Sequence, residues 1–232
     1  MKLQNIIEIK ASLVLKTGLH IGAGDTEMHI GGIDNAVIKH PITQSPYIPG
    51  SSLKGKIRTL LEWRSGEVKK DPLSIKDIKE AKDKSAVENI LKLFGVSADT
   101  KNDEEGLEKI GISRLAFWDC PLNAEWEKNL RDDNFSLTEA KSENTIDRIT
   151  ATAGNPRQTE RVPAGAKFDF KLTMRQFEND SQELVELLLK GLRLLELDSL
   201  GGSGSRGYGK VEFVELMVGD VKRELKEIEP FK

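Results

Sequence analysis

Near the start of the chain Ile7, Ile9, Ala11, Leu13 and Leu15 alternate with mostly polar neighbours, the period of a strand buried on one face. A glycine-bearing stretch with His20, Gly22, Gly24, His29, Gly31 and Gly32 follows, and Pro41, Pro46 and Pro49 then punctuate residues 41–49. The apolar period turns helical at Leu53, Ile57, Leu60 and Leu61, with Ser52 placed to cap that helix. Residues 66–84 are charged and poorly periodic, whereas Val87, Ile90, Leu91 and Phe94 predict a short helix stopped by Gly95. Residues 96–110 read as loop, Leu115 and Phe117 as a strand running to Asp119, and residues 120–144 as polar connection. After an Arg/Gly/Pro-containing excursion over 145–165, Phe168, Phe170, Leu172 and Met174 alternate as a strand. Asp180 with Glu183 resembles a capping box before the helix carrying Leu184, Leu187, Leu188, Leu192 and Leu195, and Val211 and Phe213 line a last strand.

Without its insertions this order is strand, helix, strand, strand, helix, strand. That βαββαβ pattern predicts an α+β, modified ferredoxin-like core, a class that includes RNA-recognition (RRM-like) modules. The insertions at 17–50, 66–110 and 120–165 are too long for ordinary connections and point to functional loops. A chain of 232 residues suits one large domain.

Charge narrows the function only locally. With 35 Lys and Arg against 38 Asp and Glu the net charge is −3, so the whole molecule has no basic footprint for nucleic acid. Residues 145–175, however, carry Arg148, Arg157, Arg161, Lys167, Lys171 and Arg175 against Asp147, Glu160 and Asp169. The single Cys120 excludes an intrachain disulfide and a multi-cysteine zinc site, so no structural zinc is expected, and it fits a reducing cytoplasm. No apolar run approaches the roughly 20 residues of a membrane span, and the N-terminus leads into a strand pattern rather than a signal peptide.

Three segments could carry chemistry. Between Leu200 and Val211 lie five glycines and two serines with Arg206 and Lys210, a stretch whose backbone a phosphate could approach closely at Gly202 and Ser203, or else a flexible turn. Tyr47-Ile48-Pro49-Gly50-Ser51-Ser52-Leu53-Lys54-Gly55-Lys56-Ile57-Arg58 sets a Gly-Ser-Ser turn at a helix N-terminus, with Lys54 and Arg58 on one face. It lacks P-loop spacing; capping alone explains the serines but not the cations. His20, just past the first strand beside glycines, suits either contact with a ligand backbone or a structural role, while His29 and His40 match no zinc signature. Asp34 in Gly31-Gly32-Ile33-Asp34-Asn35 is the catalytic candidate, since a carboxylate aimed at a phosphodiester can hold a divalent metal. Its competing role, a side chain making local turn hydrogen bonds, is the commoner fate of such a sequence. Phe117, Trp118, Phe168 and Phe170 do not form the usual stacking pattern of an RNA-recognition module and read as core, which favours a phosphate track over base stacking.

Thr17-Gly18-Leu19-His20-Ile21-Gly22, Gly31 to Asn35, Tyr47 to Gly55, Asn144 to Arg161 and Leu200 to Val211 together resemble the backbone subunit of type III-A (Csm) CRISPR effector complexes, of the RAMP superfamily. The resemblance covers the whole chain as a single domain of residues 1–232. It implies a hand-like ferredoxin core whose copies stack along a guide CRISPR RNA beside other subunits of the complex. A thumb hairpin, matched here by residues 145–165, kinks the guide–target duplex at regular intervals. Target RNA is cut there in a reaction dependent on a divalent metal (Mg²⁺ or Mn²⁺), leaving a cyclic phosphate. By this resemblance Asp34 is catalytic and metal-binding, and His20, Ser51, Ser52, Lys54, Arg58, Arg148, Arg157, Arg161, Gly202, Ser203 and Arg206 are the residues set against RNA. Two alternatives stay open: a noncatalytic RNA-binding scaffold of the same fold, and a RAMP endonuclease that processes precursor CRISPR RNA.

Overall fold

The computed structural model describes residues 2–24, 35–96 and 104–232; Asp34, His29 and Gly31-Gly32-Ile33 lie outside the described residues. In chain order the first half forms β1 (Leu3–Leu15), β2 (Tyr47–Ile48), α1 (Gly50–Ser65), α2 (Ile75–Glu80), α3 (Lys84–Phe94), α4 (Glu104–Ile110), β3 (Leu115–Phe117) and β4 (Cys120–Pro121). The second half forms α5 (Ala124–Asp132), β5 (Glu139–Ile146), β6 (Ala153–Arg161), β7 (Lys167–Phe177), α6 (Glu183–Leu197), β8 (Val211–Val218) and β9 (Val221–Lys222).

The expected core is present. β1, α1, β3, β7, α6 and β8 supply the βαββαβ order, and the antiparallel sheet runs β3-β7-β1-β8-β9, with the first strand between the third and fourth core strands. The alternation read in the sequence sets which side is buried. Ile9, Leu13 and Leu15 of β1, Phe168, Phe170, Leu172 and Met174 of β7, and Val211 and Phe213 of β8 point into one hydrophobic core. Helices α1 and α6 cover that face with Leu53, Ile57, Leu60 and Leu61 and with Leu184, Leu188, Leu192 and Leu195. They cross closely because Gly191 leaves room for Ile57 and Leu61, which a Cβ there would meet at 2.7 and 3.0 Å.

The insertions hold more structure than their sequences signal. Charged residues 66–84 contain α2, which begins in a reciprocal box between Ser74 and Asp77. Residues 96–110 contain α4, and α2, α3 and α4 pack a separate small core of Leu73, Ile75, Ala81, Val87, Leu91 and Ile110. Polar residues 120–144 contain α5, capped by Asn123, and the first strand of a hairpin. That hairpin, β5–β6, starts at Glu139 rather than 145, and it lacks the alternation of a half-buried strand because most of its residues are exposed on both faces.

Two expected caps are replaced by long-range contacts. α1 begins at Gly50 after Pro49, so Ser52 lies inside the helix, and the Gly50 N–H donates instead to Asp119 Oδ1 at 2.8 Å. Asp180 does not cap α6, whose flanking residue is Gln182. Its carboxylate accepts from Arg114 Nη2 at Oδ1 (2.9 Å), from Arg114 Nε at both Oδ2 (3.1 Å) and Oδ1 (3.3 Å), and from the Phe177 N–H at Oδ2 (3.0 Å). Arg114, with 5% of its side chain exposed, also donates to Ile110 O and Ile112 O, so it pins the end of α4 to the end of β7.

Burial alone would raise the Asp180 carboxyl, but the Arg114 guanidinium and the Phe177 amide outweigh it and hold it below the usual carboxylate range. The contribution of the pair is therefore complete above the ordinary carboxylate range and is lost as pH falls through the lowered value. Asp180→Ala leaves Arg114 buried without a counterion and should cost about 3–5 kcal/mol in denaturant unfolding at neutral pH. The deficit should shrink as pH falls through the lowered Asp180 value.

Candidate nucleic-acid interface

Topology brings the separate sequence segments to one end of the sheet. Leu15, at the end of β1, pairs with Val211 at the start of β8, and its neighbour Val14 pairs with Lys167 at the start of β7. Hence the loop after β1, the β5–β6 hairpin before β7 and the glycine run before β8 all leave the core at the same edge. The N-terminal half of α1 joins them, since Lys56 reaches Asp198, just past α6, at 2.7 Å. The α2–α4 module follows the C-terminus of α1 and leaves from the other end.

The glycine run is a packed turn, not a flexible one. Leu200 N–H donates to Gly209 O, Gly209 N–H to Gly18 O, Lys16 N–H to Lys210 O and Gly202 N–H to His20 O, all between 2.8 and 2.9 Å. Glycine is required by this close approach: a Cβ at Gly209 (φ 68°) would lie 1.9 Å from Leu200 O, and one at Gly201 (φ 73°) 2.3 Å from His20 O. Among the described residues the N–H groups of Ser203, Gly204 and Ser205 donate to nothing in the chain, so that stretch keeps donors available at the surface.

His20 is held from both sides. Its carbonyl receives Gly202, and its Nδ1 lies 2.7 Å from Glu160 O. Glu160, 4% exposed, is the hub of this end. Its Oε1 accepts from Lys39 Nζ at 2.5 Å and Thr138 Oγ1 at 2.7 Å, its Oε2 from the Val37 N–H at 2.9 Å, and its own N–H donates to Asn35 O at 2.9 Å. Burial would push the Glu160 carboxyl up, but Lys39, Thr138 and Val37 hold it below the usual range. Asn35, the first described residue after the Gly-Gly-Ile-Asp motif, is thereby tied to the base of the hairpin beside Thr159.

A second carboxylate joins the hairpin to the glycine run. The hydroxyl of the buried Tyr208 donates to Glu143 Oε1 at 3.0 Å, and Arg206 Nε approaches Glu143 Oε2 at 3.2 Å. Lys141 and Arg161 lie 4.4 and 5.1 Å from the Tyr208 ring centre, within cation–π range. Sequence reasoning takes Glu160 only as an offset to basic charge and misses Glu143, Tyr208, Lys39 and Lys141. The one available signal is a tyrosine embedded in a glycine run, where an aromatic side chain has to find its own packing.

The cations set against RNA sort into distinct groups. Lys54 makes no hydrogen bond or ion pair among the described residues, and the Ser51 and Ser52 hydroxyls are likewise uncommitted. Burial, and then Arg58, hold the Lys54 ammonium below its ordinary value. Arg58 does not join it as a surface cation. It donates to Glu62 at 2.8 Å, Leu73 O at 2.7 Å and Gly95 O at 3.1 Å, fastening α1 to the helical insertion. Helical spacing placed Lys54 and Arg58 on one face, but Arg58 turns toward Glu62, four residues on, and two backbone carbonyls. Arg148 is exposed at the hairpin tip, while Arg157 and Arg206 stay half-exposed beside Glu143 and Arg161 pairs with Glu139 at 2.6 Å.

Among the described residues no three His, Cys, Asp or Glu side chains converge to hold a metal ion. Cys120 is buried, and burial pushes its thiol up to about 12, so it stays protonated. No helix among the described residues is long and apolar enough to cross a membrane.

The RAMP superfamily model matches residues 12–212 of this chain. The CRISPR system Cms endoribonuclease Csm3 of Streptococcus thermophilus is 46% identical over 215 residues, covering 90% of this chain and 88% of that protein. Its namesake in Methanothermobacter thermautotrophicus is 37% identical over 227 residues, covering 94% and 87%. The crystal structure of the Csm3–Csm4 subcomplex of the type III-A CRISPR-Cas interference complex superposes with a TM-score of 0.55 at 28% identity, over 93% of this chain and 79% of that one. A βαββαβ core with its loops gathered at one sheet end, matched over most of its length by these proteins, establishes that the chain belongs to the RAMP superfamily and, within it, to the Csm3 family.

Proposed function

We propose that this chain is the guide-RNA-binding backbone subunit of a type III-A CRISPR interference complex, assembling in several copies with other Csm subunits in the cytoplasm, and that it cuts guide-paired target RNA. The observation that carries this reading is the convergence at one sheet end of an uncommitted Ser51-Ser52-Lys54 helix start, a glycine run with unpaired amides and a cationic hairpin. Such an end offers a phosphate track without any aromatic platform for bases. His20, Gly202, Ser203 and Arg206 line one side of that track, Ser51, Ser52 and Lys54 another, and Arg148, Arg157 and Arg161 the hairpin. Arg58 is withdrawn from the set because its guanidinium is consumed internally.

For the cutting step we assign Asp34. The 2′-hydroxyl of the target attacks the adjacent phosphorus as the bond to the 5′ oxygen breaks, giving a 2′,3′-cyclic phosphate and a 5′-hydroxyl; the 2′ proton leaves to solvent, and the departing oxygen takes one up. In-line alignment of the attacking and leaving oxygens supplies much of the acceleration. An aspartate carboxylate, with a reference pKa of about 4, is a weak base and accepts rather than donates hydrogen bonds, so the role assigned to Asp34 is to accept from the attacking 2′-hydroxyl and hold it in line. Mg²⁺ or Mn²⁺ bound there would neutralise developing charge on the phosphate. The described residues offer no ligand set for it, so such an ion would rest on Asp34 with RNA and water oxygens.

Asp34→Ala should abolish cleavage of complementary RNA in Mg²⁺ while leaving guide RNA bound with unchanged affinity in a filter-binding assay. Cutting at the wild-type rate would remove the assignment and favour a noncatalytic scaffold, and cutting of a hairpin precursor instead would favour a processing enzyme. Lys54→Ala with Arg206→Ala should weaken guide binding and lower the slope of log affinity against log salt by about 0.7 for each phosphate no longer neutralised. Arg58→Ala should leave that slope unchanged and instead lower the unfolding midpoint.

A further inference from the structure

Midway along β5, Glu143 turns a carboxylate inward, with 12% of its side chain exposed on a strand that otherwise lies mostly in water. Its two oxygens are used differently. Oε1 accepts the Tyr208 hydroxyl at 3.0 Å and fastens the hairpin to the glycine run. Oε2 is buried and accepts no hydrogen bond among the described residues. Arg206 Nε stands 3.2 Å from it and Arg157 Nε 3.8 Å, close enough to pair by charge but without hydrogen-bond alignment. Lys141 completes the cluster, its Nζ 3.7 Å from Oε1 and 4.4 Å from the Tyr208 ring centre. Burial acts to raise this carboxyl, but Tyr208, Arg206, Lys141 and Arg157 together hold it below the usual range, so it carries its charge at neutral pH.

These loose pairs sit beside vacant donors. Arg206 belongs to the same turn as the free N–H groups of Ser203, Gly204 and Ser205, and its guanidinium donates to the Ser203 hydroxyl. Arg157 and Arg206 are both half-exposed, so each can turn outward without leaving a buried site. A phosphate seated on those amides offers an arginine two aligned, charge-assisted hydrogen bonds, where Oε2 gives it none. The arginines therefore gain by the exchange. The carboxylate keeps Tyr208 and Lys141 but loses two counter-charges next to an incoming anion, which sets a cost against that gain.

We infer that Glu143 is a competing anion built into the RNA site: in the free chain its Oε2 holds Arg206 and Arg157, and an RNA phosphate has to displace it to reach them. This inference rests on the reading of the chain as a guide-RNA-binding subunit and deepens it, by assigning a residue that keeps one copy's hold on RNA weak. Copies lined along one guide add their contacts, so each tolerates such a cost, whereas a lone copy touching stray RNA has nothing to add. Glu143 thereby favours RNA shared by several copies over RNA met by one.

The test uses the full chain and a short fluorescent oligouridine, titrated by anisotropy across a salt series. Glu143→Gln keeps an acceptor for Tyr208 and should hold the wild-type unfolding midpoint. It should nevertheless bind the oligouridine on the order of 10-fold more tightly than the wild type at low salt, with a slope of log affinity against log salt steeper by about 0.7. Glu186→Gln, which removes an equal charge at the far end of α6, should change neither quantity. Arg206→Ala should lower affinity more in the Glu143→Gln background than in the wild type. In the wild-type chain itself the carboxyl ¹³C signal of Glu143 should move when oligouridine is added, a readout that needs no variant. Equal affinity and slope in the wild type and Glu143→Gln, a matching gain in Glu186→Gln, equal costs of Arg206→Ala in both backgrounds, or a Glu143 signal that stays in place overturns the inference and leaves the RNA-binding reading standing. A wild-type chain that binds neither guide RNA nor oligouridine overturns both.

Discussion

Strand β1 is hydrogen-bonded along both edges, to β7 on one side and β8 on the other, and the rest of the structure depends on that double pairing. Because the strands are antiparallel and in register at Leu15, Val211 and Lys167, the chain has to leave the sheet three times at one edge. A one-residue slip would turn Ile9, Leu13 and Leu15 out of the core, so packing energy, not loop chemistry, fixes where the loops emerge. The recognition surface thus inherits its layout from a buried hydrophobic register. The loops need only the right residues, because their mutual positions are already set.

Two carboxylates convert that proximity into a joined surface. Glu160 gathers Val37 and Lys39 from the connection between β1 and β2, the base of the hairpin at Thr138 and, through its backbone, His20 and Asn35. Glu143 gathers Tyr208 and Arg206 from the glycine run onto the hairpin. Both are buried or nearly so, and each carboxyl is held below the usual range, Glu160 by Lys39, Thr138 and the Val37 N–H, and Glu143 by the Tyr208 hydroxyl and the charges of Arg206, Lys141 and Arg157. Low local dielectric makes such clusters strong when complete and costly when a member is missing. The acidic residues therefore do for the interface what the leucines do for the core: they hold elements together so that cations can face outward.

How much of this could be read from residues alone depended on whether a side chain's partner lay within a few positions. β1, α1, β7, α6 and β8 were legible because burial on one face leaves a period of 2 or 3.6. The hairpin was not, since strands exposed on both faces carry no period, and its start at Glu139 was hidden among polar residues. Arg58 looked like a surface cation because its partners Leu73 and Gly95 are remote in sequence, and Asp180 resembled a cap because its true partner is Arg114. The glycine run was recognised as a site of close approach. The approach it serves is first of all that of the chain to itself, at Gly18 and His20, with the amides of Ser203 to Ser205 left over for a ligand.

Arg114 joins the helical module to the sheet at the end opposite the hairpin, and the two appendages obey different selection. The α2–α4 module has its own core, so changes to the residues of that core act first on stability. Beyond its base and the Glu143–Tyr208 contact the hairpin buries little, so changes at its exposed arm positions and tip bear lightly on the fold. Those positions are free to drift or adapt at little risk to the folded chain. The spacing and depth of contact with RNA can thus be retuned over evolutionary time on a scaffold that does not register the change.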